Sequence, residues 1–245
     1  MNKTYLYPYS AEEARRRNEM SLWRASHKAN LACKEEIELA IGTHFDGTHL
    51  EEGCAEGVIR EYGYKRVQWV LSHTIQQLDW SDRFSQANKE WARQTYIPKD
   101  RAYVTDLIIV SDPAIVDLFA TQFQCAYQEL GLFGPNQCEP NSFEKLDYEG
   151  KVLVLSPDTL KETYWTPQAQ LWYAHDGFGC SPKAIGRSIR CTCLGDGEMT
   201  RWNRTDFVGV LKDEFLPEWA KEKLMELKGQ EQNNDSPAMG GMTME

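Results

Sequence analysis

Residues 177–209 read GFGCSPKAIGRSIRCTCLGDGEMTRWNRTDFVG, and their pattern predicts a β-hairpin. Two extended runs, 185–194 and 198–203, flank the tripeptide Gly195-Asp-Gly197. Asp-Gly supplies the positive backbone φ angles that a tight hairpin turn requires. This hairpin marks the C-terminal part of the chain as strand-rich.

Short elements surround the predicted hairpin on both sides. Residues 151–155 and 207–211 are apolar runs that predict two further strands, and residues 217–227 predict a closing helix. Residues 229–245 are polar and rich in Met and Gly, so we expect a disordered tail there.

The first hundred residues predict helices joined by short turns. Ser10–Glu13 has the Ser-x-x-Glu pattern of a capping box and predicts a helix that extends to about Ile41. The same pattern at Thr48–Glu51 predicts a second helix, which Gly63 ends. The inward-facing stripe of the first helix contains polar Ser26 and Asn30, which need hydrogen-bond partners once buried.

The pattern changes after Pro98. A further helix, capped by Ser81 or Asp82, ends before that proline. Residues 103–110 include the apolar run Leu-Ile-Ile-Val and predict a buried strand, and a helix from Pro113 follows it. Residues 131–150 are rich in Gly, Pro, Asn and acidic residues, which is typical of a long loop.

Together these elements predict an α+β fold, an N-terminal antiparallel helical domain followed by a smaller strand-rich module with a hairpin. The predicted divisions are a helical domain at 1–98, a strand-helix unit with an acidic loop at 99–150, a small α+β module at 151–228 and the tail at 229–245.

Composition sets the broad class of protein. The chain has 245 residues, 41% of them apolar, and no apolar run of the roughly 18 residues that a membrane helix requires. Seven cysteines, an odd number without a disulfide framework, favour a reducing cytoplasm. The net charge of -10 opposes non-specific attraction to nucleic acid.

The sequence contains few candidates for catalysis or metal binding, and we expect no cofactor. The best zinc candidates are Cys180, Cys191 and Cys193, with His175. The two-residue gap that usually separates paired zinc-binding cysteines is missing, however. The alternative is that these thiols fill the core of a sheet. The His44–His49 loop collects metal-compatible side chains, and a surface turn is the simpler explanation. No histidine stands at a spacing that would activate Cys33 or Cys54, so we expect no enzymatic activity.

Charge is distributed unevenly along the chain. Residues 183–212 carry six basic and three acidic side chains, whereas residues 101–150 carry two basic and eight acidic ones. The hairpin therefore offers a basic candidate contact surface, with Trp202 beside it, and the wetted outer face of a sheet is the alternative. The basic candidates are Arg187, Arg190, Arg201 and Arg204, and the acidic candidates are Asp106, Asp112, Asp117, Glu144, Asp147 and Glu149.

Two blocks of the sequence resemble known families. The first block lies in the N-terminal half and consists of residues 17–30 (RNEMSLWRASHKAN), Cys33, Ile37, the Phe45-Asp-Gly turn, and residues 62–67 and 84–92. It resembles an uncharacterised domain family of phages and conjugative elements of gut Firmicutes. Residues 177–209 and 216–220 resemble a small C-terminal domain of large polyvalent proteins from the same elements. The resemblance implies a mobile-element context, in the cytoplasm of a bacterial host, and it supplies no established catalytic residues to carry over.

This context implies a function in binding. A small mobile-element protein without enzymatic signatures is expected to bind and inhibit a host defence nuclease complex, as anti-CRISPR and antirestriction proteins do. An acidic surface could oppose the basic nucleic-acid channel of such a partner. The alternative is a nucleic-acid-binding accessory module that acts in element transfer or regulation.

Overall fold

The structure is a computed structural model that describes residues 4–100 and 106–234, with side chains through Gly229. It divides into two compact units, 1–129 and 130–245. Helices dominate the first unit, and a five-stranded antiparallel sheet forms the second, so the predicted α+β fold is confirmed. The boundary after residue 129 lies beyond the sequence-based division at 98 because the helix that begins at Pro113 packs within the helical unit.

The helical unit contains six α-helices in its described residues. They are α1 (Ala11–Arg16), α2 (Met20–His44), α3 (Cys54–Tyr62), α4 (Tyr64–Gln77), α5 (Gln86–Arg93) and α6 (Pro113–Glu129).

Two polar residues of the α2 stripe find the partners that burial requires. Ser26 Oγ accepts a hydrogen bond from the backbone N–H of Tyr7 at 2.9 Å, and Asn30 Oδ1 accepts one from the buried guanidinium of Arg66. Arg66 also donates to the carbonyls of Ser26 (3.1 Å) and Thr4 (2.7 Å). Arg66 thus ties the N-terminal segment to two helices of the core.

Three predicted helix starts can be compared with the structure. Ser10 caps α1 as predicted, but the helix breaks at Asn18, whose φ of 59° is left-handed, and it restarts as α2. The predicted start at Thr48 is wrong, because Asp46 Oδ1 accepts the N–H groups of Thr48 and His49 (2.7 Å each) and closes a turn there. α5 is capped by Ser85, whose Oγ accepts the Asn88 N–H, and not by Ser81 or Asp82.

The strand predicted over 103–110 is wrong for its described part. Residues 106–110 form a turn and loop, and residues 103–105 lie outside the described residues. Leu107 and Ile109 are buried against the helices, and the Ile109 N–H donates to Thr74 Oγ1 at 3.2 Å. The apolar run is therefore core-filling loop, since burial alone does not distinguish a strand from a buried loop.

The sheet unit is built from five antiparallel strands in the order β4-β3-β2-β1-β5. They are β1 (Val152–Leu155), β2 (Leu171–Asp176), β3 (Ser188–Cys193), β4 (Met199–Asn203) and β5 (Phe207–Val210). Helices α7 (Ser142–Lys145), α8 (Pro167–Gln170) and α9 (Glu218–Asn234) complete the unit, so residues 229–234 are helical and not a disordered tail. Residues 235–245 of the predicted tail lie outside the described residues.

The predicted hairpin is confirmed as β3 and β4, with Gly197 at φ 79° in its turn. Both faces of the central strands β1 and β2 are buried. One face packs beneath Tyr148, and the other packs with residues of α9. On the outer face of the β3–β4 hairpin Thr192 is buried, but Ser188, Arg190, Met199 and Arg201 are exposed.

Candidate functional site

The connection between β2 and β3 forms an irregular surface loop, residues 177–187, which we call the Phe178 loop. Its glycines let the chain approach β3 more closely than any other residue could. A Cβ atom on Gly179 would lie 2.5 Å from the carbonyl oxygen of Arg187, and one on Gly177 would lie 2.6 Å from that of Ser188. Glycine is therefore required at both positions, and the loop lies against the strand that follows it.

The buried side chain of Arg204 holds the loop from inside. Its guanidinium donates to the carbonyls of Gly179 (3.1 Å) and Cys180 (2.7 Å) in the loop. It also donates to three carbonyls of the α7 segment, those of Ser142 (3.1 Å), Phe143 (2.9 Å) and Leu146 (2.7 Å). Arg204 therefore joins two separate loops through one rigid fork of donors.

The surroundings of Arg204 explain how a charge is tolerated there. The guanidinium carbon lies 3.5 Å from the ring centroid of Tyr148, a cation–π contact. Burial lowers the pKa of the guanidinium, but arginine remains protonated at neutral pH. No carboxylate among the described residues lies within 4.0 Å of it, so carbonyl dipoles and the ring compensate its charge.

The position of Arg204 corrects one sequence-based expectation. Arg204 was expected on a basic contact surface, but it is 0% exposed and contributes nothing to that surface. Arg204 follows Thr200 and Trp202 at two-residue spacing, so the alternation of β4 places it on the inner face, where Tyr148 and two loops cover it. Arg204 is thus a positioning residue for the Phe178 loop.

Two apolar side chains of the Phe178 loop project into solvent. Phe178 is 85% exposed, the largest exposed fraction among the large hydrophobic residues in the described part of the chain, and Ile185 is 73% exposed. With Lys183, Ala184 and Arg187, they line an open groove of about 540 Å³. Lys183 adopts φ 60°, a left-handed conformation that is uncommon outside glycine.

The remaining basic candidates lie on the outer face of the hairpin. Arg190 and Arg201 are cross-strand partners, and both are exposed. Arg190 is paired with Asp176 at 2.6 Å, whereas Arg187 and Arg201 form no ion pair within the described ranges. Trp202 points to the opposite face and packs edge-on against Trp172, so it belongs to the inner side of the hairpin.

The zinc candidates do not converge. Cys180, Cys191 and Cys193 lie in the apolar core on the inner side of the sheet. His175 lies on the other side, where its Nε2 is 2.7 Å from Thr192 Oγ1, because successive side chains of a strand alternate between faces. Across residues 4–100 and 106–234, no group of three or more His, Cys, Asp or Glu side chains could hold a metal ion.

The acidic candidates fall in two different units. Asp106, Asp112 and Asp117 belong to the helical unit, and Glu144, Asp147 and Glu149 belong to the sheet unit.

Several of these carboxylates already have partners within their own unit. Asp117 accepts from the N–H of Ser85 (3.0 Å) and from Asn88 Nδ2 (2.7 Å), and Asp112 pairs with Arg83. Glu144 lies 3.3 Å from the ammonium of Lys183 in the Phe178 loop. Asp112 and Asp117 thus stabilise the helical unit from within.

The His44–His49 loop is a surface turn, as the simpler interpretation predicted. Phe45 and Leu50 form a bridge across it, and His44 Nδ1 lies 2.6 Å from Glu51 Oε2. One carboxylate oxygen of Asp46 accepts the backbone N–H groups of Thr48 and His49 in the turn.

The fold and the site define an α+β protein in which a helical unit precedes a sheet unit with an exposed, internally anchored loop. The chain belongs to the family described as "Protein of unknown function (DUF3849)", whose model matches residues 6–128. That range covers nearly all of the helical unit and ends one residue before the unit does. No curated protein and no solved structure matches the chain. Within the described ranges, no helix has the length and apolarity to cross a membrane.

Sequence reasoning missed Phe178, Lys183 and Ile185 as functional candidates. The available signal was an aromatic residue between two glycines, Gly177 and Gly179, in a segment too irregular to bury it. The charge pattern of the sequence indicates only the arginines as a contact surface. In the structure, apolar and basic side chains lie together in one groove.

Proposed function

We propose that this chain is a non-catalytic binding protein whose Phe178 loop docks a protein partner. The observation that carries the proposal is the pair of exposed apolar side chains, Phe178 and Ile185, on a loop that Arg204 holds in place. Neighbouring exposed apolar side chains rimmed by polar residues are typical of protein interaction sites. An anchored loop binds with little loss of conformational entropy.

The chemistry of the groove fits a partner with apolar and acidic groups. Aromatic residues and arginine are the side chains most enriched at the energetic centres of protein interfaces. Phe178 and Ile185 supply the apolar contacts, and the exposed Arg187 supplies a cation without an ion pair in the described chain. The partner surface should therefore present an apolar residue beside a carboxylate.

The buried thiols argue against a cysteine nucleophile at four positions, which is consistent with a binding role. Burial raises the pKa of Cys33 and of Cys191 to about 12 and that of Cys54 and of Cys180 to about 11. A thiol with such a pKa is almost entirely protonated at neutral pH and is a poor nucleophile.

The proposed target is a host defence complex that handles nucleic acid, such as a CRISPR effector or a restriction enzyme, and the proposed source is a phage or conjugative element. The proposal for the target comes from the sequence resemblance. It is supported by the net charge of -10, which suits a protein that competes with nucleic acid for a basic surface.

The test is affinity purification with the full chain from a lysate of its host, followed by an activity assay. We expect a nuclease subunit to be retained and its cleavage to be inhibited, and Phe178→Ser to reduce retention at least about tenfold. Tyr164→Ser is the matched control, because Tyr164 is 58% exposed in the same unit but lies outside the loop. Equal retention by Phe178→Ser and wild type would disprove the binding role of the loop, and retained proteins without any nuclease would disprove the proposed target.

The second candidate function is a nucleic-acid-binding accessory module that uses the hairpin arginines. Arg187, Arg190 and Arg201 remain exposed for this role, but Arg204 is buried and Trp202 packs inward. The test is a fluorescence-anisotropy titration with single- and double-stranded oligonucleotides at low salt. Binding that weakens steeply with salt, and is lost in Arg201→Ala, would support this candidate over protein docking.

A further inference from the structure

The two edges of the sheet differ in how they are protected. The edge at β5 is covered, because the Glu139 N–H donates to the Val210 carbonyl at 2.8 Å and the Lys212 N–H donates to the Gln137 carbonyl at 3.0 Å. β4 forms the other edge and pairs only with β3 among the described residues. An uncovered edge strand is a template on which an extended segment can add a strand.

The register shows which backbone groups of β4 face outward. The Cys193 N–H donates to the Glu198 carbonyl, and the Arg204 N–H donates to the Arg187 carbonyl. These two bonds show which cross-strand pairs of the β3–β4 ladder are hydrogen-bonded. In an antiparallel ladder bonded pairs alternate with non-bonded ones. Residues 200 and 202 therefore bond to β3, and Met199 and Arg201 direct their N–H and C=O groups outward. The Asn203 N–H, the next in the series, is taken by Asp206 Oδ2 at 2.8 Å.

The two faces of β4 differ in chemistry. Met199 and Arg201 lie on the exposed face, where Arg190 is the cross-strand partner of Arg201. Thr200 and Trp202 lie on the inner face, which joins the apolar core, and both are half-buried. A strand added to β4 would place alternate residues beside Arg201 and beside Trp202.

We propose that the partner of this chain docks an extended, alternating acidic and apolar segment on β4 as a sixth strand. Its carboxylates would meet Arg201, whose cross-strand neighbour Arg190 is already paired with Asp176, and its apolar side chains would extend the core beside Trp202. The proposal rests on the proposed function, because it names the form of the protein partner, and it extends that site along the sheet. Ser188 next to the Phe178 loop pairs with Asn203 at the end of β4, so the two surfaces are contiguous.

Charge argues against a second copy of the chain as the occupant. In the register centred on Arg201, antiparallel pairing of β4 with itself would set two arginines opposite each other beside the Arg190–Arg201 pair of each copy, and like charges in that position are destabilising. An acidic strand instead supplies the missing counter-charge for Arg201, which has no ion pair in the described part of the chain.

The experiment uses a labelled peptide of alternating glutamate and valine, about seven residues long, and its lysine–valine counterpart. We expect the full chain to bind the glutamate peptide at least about tenfold more tightly than the lysine peptide. Arg201→Pro should weaken that binding at least about tenfold, because proline removes an outward N–H that the ladder with β3 does not use. Arg201→Ala, which keeps the N–H, should weaken it less.

A charge-reversal variant keeps the proposal testable if the proline variant fails to fold. Arg201→Glu should prefer the lysine peptide over the glutamate peptide, provided that its unfolding midpoint matches that of wild type. Failure of the wild-type chain to bind the glutamate peptide would overturn the proposal. Equal binding by wild type and a folded Arg201→Pro would overturn it, and so would dimerisation of the chain that Arg201→Pro abolishes.

The outcome separates this inference from the proposed function. Loss of partner retention in Phe178→Ser but not in Arg201→Pro would leave the docking loop standing and remove the added strand. If both variants retained the partner as well as wild type does, the docking loop and the added strand would both be disproved.

Discussion

Each unit of this protein buries an arginine, Arg66 in the helical unit and Arg204 in the sheet unit, and the two side chains bond to different kinds of partner. Arg66 in the helical unit bonds to the carbonyls of Thr4 and Ser26 and to the side chain of Asn30. Arg204 in the sheet unit bonds to five backbone carbonyls in two loops. Arg66 therefore stabilises the core of the helical unit, whereas Arg204 fixes the conformation of the exposed Phe178 loop.

This difference locates the functional candidate. The partners of Arg66 lie within a regular helical stripe and the segment packed on it, so its removal should affect packing. The partners of Arg204 include the carbonyls of the Phe178 loop, so its removal should affect the presentation of Phe178 and Ile185 as well as stability.

The largest expected effect comes from Arg204→Met. Methionine fills much of the volume but satisfies none of the five carbonyls, so we expect the free energy of unfolding of the sheet unit to fall by at least about 3 kcal/mol. Arg204→Lys is the matched control, because it keeps the charge but lacks the planar fork, and it should retain only part of the stability. Chemical denaturation followed by tryptophan fluorescence measures both; a loss below about 1 kcal/mol in Arg204→Met would show that the contacts are incidental.

A smaller effect is expected for Arg66→Met. Methionine would leave the carbonyls of Thr4 and Ser26 and the side chain of Asn30 without this donor, so we expect a loss of about 2 kcal/mol, with increased amide exchange in the segment around Thr4. Partner retention should not change, unlike in Arg204→Met. The comparison between the units would break if Arg66→Met impaired partner binding as much as Arg204→Met did.

Glycine-to-alanine substitutions should change the stability of the protein in opposite directions in the two units. Gly179→Ala places a Cβ 2.5 Å from a backbone oxygen, and the required shift should cost about 2 kcal/mol. Gly42→Ala in α2 meets nothing within 4 Å, and the better helix propensity of alanine should stabilise the protein by about 0.5–1 kcal/mol. Thermal unfolding midpoints report both signs, and a neutral Gly179→Ala would show that the loop can move away from β3.

The smallest perturbation is thiol labelling of the native protein. Cys125 in the helical unit is exposed, whereas the other six cysteines are buried. We expect rapid labelling of Cys125 alone, and of all seven cysteines after denaturation. Rapid native labelling of Cys180 or Cys191 would show that the Phe178 loop opens.

Much of the fold was readable from the sequence because local signals were strong. The Asp-Gly turn predicted the β3–β4 hairpin, and the polar stripe residues Ser26 and Asn30 correctly required buried partners. The order of the strands was not readable, since β5 pairs with β1, more than fifty residues earlier in the chain, and not with the adjacent hairpin. Long-range pairing of this kind leaves no local pattern.

The candidate site was only half predictable. Charge counting identified Arg187, Arg190 and Arg201, but it placed Arg204 on the same surface. Strand alternation sets Arg204 on the face of Trp202, opposite Arg201, and the two loops that bury it come from distant parts of the chain, which leave no local pattern. The exposure of Phe178 depends on close backbone contacts at two glycines, which only the folded chain reveals.

Amide hydrogen exchange of the full chain, with and without its retained partner, tests the central claim that the sheet unit carries the binding surface. We expect slowed exchange on binding in residues 177–187, with little change in the described helical unit, residues 4–100 and 106–129. Protection confined to the helical unit, with exchange in residues 177–187 unchanged, would contradict it.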